Sequence, residues 1–114
     1  MPIQRVHSHP NVKADRGRVA LQRGPVVYCL EGIDNGDFPR QLTLPPQSAL
    51  RAEFRPDLLG GITIVRADAV RCVKSSNPDQ PVKTSAVQLL AIPYYAWDNR
   101  AAGEMVVWLP EGVE

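Results

Sequence analysis

With 114 residues, 44% of them hydrophobic and 22% charged, the chain has the size and composition of one globular domain rather than of a disordered or fibrous segment. Its formal net charge of +1, spread without a basic run, leaves no electrostatic footprint for nucleic acid or an anionic membrane. No apolar stretch approaches the ~20 residues of a membrane-spanning helix, and the opening Met1-Pro2-Ile3-Gln4-Arg5 lacks the charged and apolar regions of a signal peptide.

Eleven prolines and eight glycines are spread along the chain, and no apolar pattern of helical period survives them. Residues 3–9 predict a first strand closed by Pro10, and a second runs from near Val12 to the turn at Asp15-Arg16-Gly17. Alternation resumes at 18–22, with Val19 and Leu21 on one face. Residues 25–31, dense in β-branched and aromatic side chains around Tyr28-Cys29-Leu30, predict a central strand buried on both faces. The chain leaves it through Gly32-Ile33-Asp34-Asn35-Gly36-Asp37, where Asn-Gly favours a tight turn. A short strand at 42–44 stops at Pro45-Pro46, an alternating strand follows at 50–54, and 56–61 suggest one helical turn ended by Gly60-Gly61.

A further strand begins at 62–65 and is expected to continue, past a bulge or break near Ala67-Asp68, to Val73. Residues 75–85 offer little to offset the entropy of ordering and predict a mobile loop. The last third predicts a hairpin, in which an apolar strand from Ala91 through Tyr94, Tyr95 and Trp97 is followed by a polar turn at Asp98-Asn99-Arg100 to Gly103. The strand returning through Glu104-Met105-Val106-Val107-Trp108 completes it. About eight short strands with turns at this spacing indicate a single all-β domain over 1–114, an antiparallel β-sandwich of jelly-roll-like form.

Several constellations carry chemistry on paper. A glycosidase pair needs two carboxyls held about 5–10 Å apart, and Glu31, Asp34, Asp37, Asp98 and Glu104 are the candidates. Most fall at strand ends or turns, where Asp and Glu are commonly solvated or bonded to local backbone. His7 and His9 share a strand face and could chelate a metal, but no third ligand stands at useful spacing. An Asp34/Asp37 calcium turn has too few oxygen ligands for a dedicated loop. Cys29 sits in the most apolar run, where burial disfavours a reactive thiolate, and Cys72 follows Arg71 without a partnering histidine. Both read as thiols rather than a disulfide. Tyr94, Tyr95, Trp97 and Trp108, with Asp98, Asn99 and Arg100 beside them, suit either packing or stacking on the apolar face of a sugar. On a strand Tyr95 and Trp97 would share one face and Tyr94 take the other.

The block Gly17-Arg18-Val19-Ala20-Leu21-Gln22-Arg23-Gly24-Pro25-Val26-Val27-Tyr28-Cys29-Leu30-Glu31, together with Asp34-Asn35-Gly36, Asp57-Leu58-Leu59-Gly60-Gly61 and the two aromatic segments, resembles the C-terminal β region of the β-L-arabinofuranosidase family, glycoside hydrolase family 127. The resemblance covers most of the chain, with 67–86 its least distinctive part. It implies that the catalytic carboxylate and the zinc-binding cysteines, the nucleophile among them, lie in an upstream helical barrel, and neither Cys29 nor Cys72 falls in the family's paired-cysteine signature. The expectation is therefore a non-catalytic accessory domain without a cofactor of its own. Its expected partners are the barrel and a neighbouring β domain of the parent chain. The alternatives are a carbohydrate-binding module for arabinose-containing glycans and a homodimer-forming module.

Overall fold

A computed structural model describes residues 2–7, 17–36, 38–73, 79, 83–97 and 103–111. Strands account for most of them: β1 (Ile3–His7), β2 (Arg18–Arg23), β3 (Val26–Glu31), β4 (Leu42–Thr43), β5 (Leu50–Arg55), β6 (Ile62–Val73), β7 (Lys83–Pro93), β8 (Met105–Val106) and β9 (Leu109–Pro110). The expected strand beginning near Val12 lies outside the described residues, as do His9 and Asp37.

Every named pairing is antiparallel. The strands form one sheet in the order β1-β2-β3-β7-β6-β4, with β5 on β6, β8 on β3 and β9 on β2. That sheet curls until its ends meet. Leu44, just past β4, donates its N–H to Pro110 O at 2.9 Å, and a parallel bridge joins Leu44 to Glu111. The result is the expected all-β sandwich, made by one sheet folding over itself so that its halves face each other.

The alternation of β6 and β7 shows how the core is divided. Val65, Ala67 and Ala69 point inward and meet Ala91, Leu89 and Val87 across the strands, a small-against-large series that lets the curled sheet close without overpacking. Val19, Leu21, Tyr28, Leu30 and Leu109 complete this inner core from the other half. On the opposite face of the same strands Ile62, Ile64, Ile92 and Cys29 form a second cluster with Ala96, covered by Leu58, Leu59, Met105 and Val107. Central strands with both faces covered read as unbroken apolar runs, which is why β3 was legible.

Three expectations change. β6 is a single 12-residue strand with unbroken register to Val73 opposite Lys83. Asp68 needs no break because it faces solvent across from Gln88, whose amide donates to Asp68 Oδ1 at 3.4 Å. β7 starts at Lys83, so the polar tail of the expected loop is strand. Residues 56–61 make tight turns instead of a helical turn. Leu59 and Gly60 have φ of 50° and 79°, and Gly61 N–H closes on Leu58 O at 2.8 Å, the positive-φ pair of a hairpin turn.

Candidate functional site

The aromatic segment leaves the sheet where the core strand changes partners. β3 pairs with the end of β7 through Tyr28–Pro93 and Cys29–Ile92, then with β8 through Leu30–Val106 and Glu31–Met105. The chain must therefore exit at Pro93, and it does so in a 3-10 turn, Tyr94–Ala96, closed by Trp97 N–H on Tyr94 O at 3.1 Å. The expected strand through Tyr94, Tyr95 and Trp97 and the hairpin it belonged to are thus corrected. β7 and β8 both pair with β3, and among the described residues no pairing joins them to each other.

This geometry changes which rings cooperate. In a 3-10 turn residues three apart nearly eclipse, so Tyr94 stacks on Trp97 with centroids 6.2 Å apart and planes 19° from parallel. Ala96 is the buried anchor, while Tyr94, Tyr95 and Trp97 point outward at 47%, 71% and 41% exposure. A shallow groove of about 280 Å³ runs between Tyr94, Tyr95 and the Pro25, Val26 and Val27 side of β3. Val27 is also exposed, so the strand expected to be buried on both faces is open at its first turns.

Next along β3, Tyr28 donates its hydroxyl proton to Thr63 O at 2.8 Å. Burial raises its pKa, and the adjacent Arg23 guanidinium opposes that shift only in part, so Tyr28 is a neutral donor. The Nε of Arg23 is buried without a hydrogen-bond partner among the described residues. An unmatched buried donor is costly until an acceptor reaches it.

Asp98, Asn99 and Arg100 lie outside the described residues. Trp108 is separated from the other aromatics: it follows the bend at Val107 between β8 and β9 and lines a different groove, with Arg18, Pro39, Arg40, Val106, Leu109 and Pro110. Of the carboxylates, Glu31 ends β3 and is buried, Asp34 sits in the 3-10 turn Gly32–Asp34, and Glu104 is ion-paired to Arg40 at 2.9 Å. His7 contacts Glu111 Oε1 at 3.0 Å, and no group of three or more His, Cys, Asp or Glu is placed to hold a metal among the described residues. Cys29 is fully buried in the outer cluster and Cys72 half-buried, and both are thiols.

Three groups were not legible as important from the chain alone. The Asn35 side chain donates to Glu31 O and Leu90 O, both at 2.9 Å, and accepts from Leu90 N–H at 3.0 Å. It stands in for a strand where β3 turns away from β7. Arg71 ties the same corner by donating to Asn35 O, to Phe38 O and, at 2.8 Å, to Gln41 Oε1. Arg5 crosses the molecule to Glu111 Oε2 at 2.8 Å, Pro45 O at 2.9 Å and Ser48 O at 2.8 Å. The only local signal was Asn35-Gly36, which reads as a turn.

Comparison with known proteins covers nearly the whole described chain. The description of the glycoside hydrolase family 127 C-terminal domain matches residues 3–110. A non-reducing end β-L-arabinofuranosidase of Bifidobacterium longum subsp. longum is 36% identical over 118 aligned positions, which take in 95% of this chain and 18% of that protein. The crystal structure of a family 127 β-L-arabinofuranosidase from Geobacillus stearothermophilus superimposes with a TM-score of 0.89 at 48% identity, over 97% of this chain and 18% of that one. A second family 127 β-arabinofuranosidase structure gives a TM-score of 0.89 at 39% identity, over 97% and 17% of the two chains. The chain thus spans less than a fifth of the length of these relatives.

Proposed function

Because the chain belongs to the C-terminal domain of glycoside hydrolase family 127, we propose that it is a non-catalytic accessory module. In this reading it packs against the remainder of a β-L-arabinofuranosidase-like parent chain and stabilises its catalytic barrel. The observation that carries it is the outward face built by Val27, Tyr94, Tyr95 and Trp97. Such a face gains by burial, about 25 cal/mol for each Å² of apolar surface covered. Relatives more than five times as long leave room for such a partner within the same chain. Hydrolysis of terminal arabinofuranosyl residues then belongs to residues elsewhere in the parent.

In the full-length protein Tyr95→Ala combined with Trp97→Ala should weaken docking by roughly 2–4 kcal/mol, the cost of truncating central aromatic anchors. Thermal unfolding of the barrel should fall with it, while β-sheet content is kept. Hydrogen exchange checks the same point: amides of 94–97 and Val27 should be protected in the full-length protein. Unchanged melting and rapid exchange at those amides would sink the docking reading. Light scattering separates a homodimer, whose mass depends on concentration.

A second reading is favoured by one observation, the near-parallel Tyr94–Trp97 stack beside an open groove, a platform on which a sugar ring can lie. Ligand-observed NMR of the full-length protein with arabinofuranosyl oligosaccharides tests it. Saturation transfer removed by Trp97→Ala, with docking intact, assigns the face to glycan instead.

A further inference from the structure

The groove at Trp108 shares no lining residue with the one at Tyr94 and Tyr95 and holds about 300 Å³. Strand pairing builds it. β8 runs along the end of β3, the chain bends at Val107, and β9 pairs with the start of β2 through Arg18–Pro110. Trp108 is thereby carried up beside Arg18, with Val106 and Leu109 as an apolar floor. The opposite wall is the 3-10 turn Pro39–Gln41, held by its fully buried Pro39 and presenting Arg40.

The two guanidiniums differ. Arg40 is ion-paired to Glu104 at 2.9 Å. Arg18 is exposed, and its side chain has neither an ion pair nor a hydrogen bond among the described residues. A half-buried indole, an apolar floor and one guanidinium without an ion pair among the described residues, in a single concavity, match a ring that has an apolar C–H face and carries a carboxylate. The indole takes the ring's apolar face, and the planar fork of Arg18 takes both carboxylate oxygens. The volume is at the lower end for ligand pockets and admits a single ring. An extended acidic peptide side chain would satisfy Arg18 but leave the indole face bare.

We propose that the Arg18–Trp108 groove is a subsite for a hexuronate, a sugar ring bearing a carboxylate. The proposal stands independently of the docking of the Tyr94–Trp97 face. The experiment is saturation-transfer NMR of the full-length protein with D-glucuronate, with glucose and acetate as controls. We expect binding of millimolar order, weakened at least about tenfold by Arg18→Gln through loss of a charge-assisted pair. Saturation should be lost in Trp108→Ala. Trp108→Phe, which keeps an aromatic surface and guards against misfolding, should retain part of it. Thermal melting of Arg18→Gln should match the unsubstituted protein, since the Arg18 side chain supports no other group among the described residues. Glucuronate affinity unchanged in Arg18→Gln would overturn the proposal. So would equal binding of glucose or acetate, or no saturation at about ten millimolar ligand.

Discussion

At the scale of single residues, buried polar groups with several partners hold the corners that the strands cannot reach. Asn35 is 4% exposed and supplies Leu90 with both a donor and an acceptor, as a neighbouring strand would. Asn35→Leu leaves the Leu90 N–H and carbonyl unmatched, and should cost about 2–4 kcal/mol in urea unfolding at an unchanged m-value. Gly36 is held by two constraints, a φ of 72° and an Arg71 Nη2 that would lie 2.9 Å from an added Cβ. Glu111 is a pH reporter. Hydrogen bonding first from His7 and then from Arg5 outweighs desolvation and lowers its carboxyl pKa below the ordinary 4.5. A carboxyl depressed by folding adds stability above its unfolded pKa and loses it as pH falls through the folded value. Native protein should therefore lose stability below about pH 4.5 more steeply than Glu111→Gln, as acid-dependent denaturation midpoints would show.

Between elements, the decisive contrast is β6 with β7. The inward Ala67 and Ala69 carry little hydrophobic signal, and Asp68 between them looks like an interruption. In the sheet they are what allows close approach of the two halves. Ala67 is 0% exposed and sits opposite Leu89, so Ala67→Leu should overpack the core and cost about 1–3 kcal/mol. Asp68→Ala on the other face should fall within about 0.5 kcal/mol. Parallel thermal melts of the two variants check both statements. The turn at 94–96 carries the same lesson. An apolar run rich in aromatics has the composition of a strand, but β3 has already given its next hydrogen-bonding positions to β8, so the backbone coils and the rings face outward.

For the whole molecule, closure depends on contacts between distant parts of the chain. Arg5 on β1 reaches Glu111 beyond β9 and the carbonyls of Pro45 and Ser48, joining the sheet's two ends. Arg5→Met keeps the stem's packing but removes these bonds. It should cost about 2–4 kcal/mol and raise hydrogen exchange at Leu44, whose N–H bonds to Pro110 across the same seam.

The all-β class, the buried run of β3 and the resemblance to family 127 could be read from the chain because each rests on local pattern or on short ordered motifs. Alternation marks a half-buried strand and a dense apolar run marks a central one whatever their neighbours are. Pairing order is different in kind. Nothing local says that β8 rather than β7 follows the end of β3, that Trp108 stands beside Arg18 and apart from Trp97, or that Asn35 replaces a strand. Hydrogen-bonding positions on a strand edge are finite, and which segment occupies them is settled only when the sheet curls and its distant parts compete for the same partners.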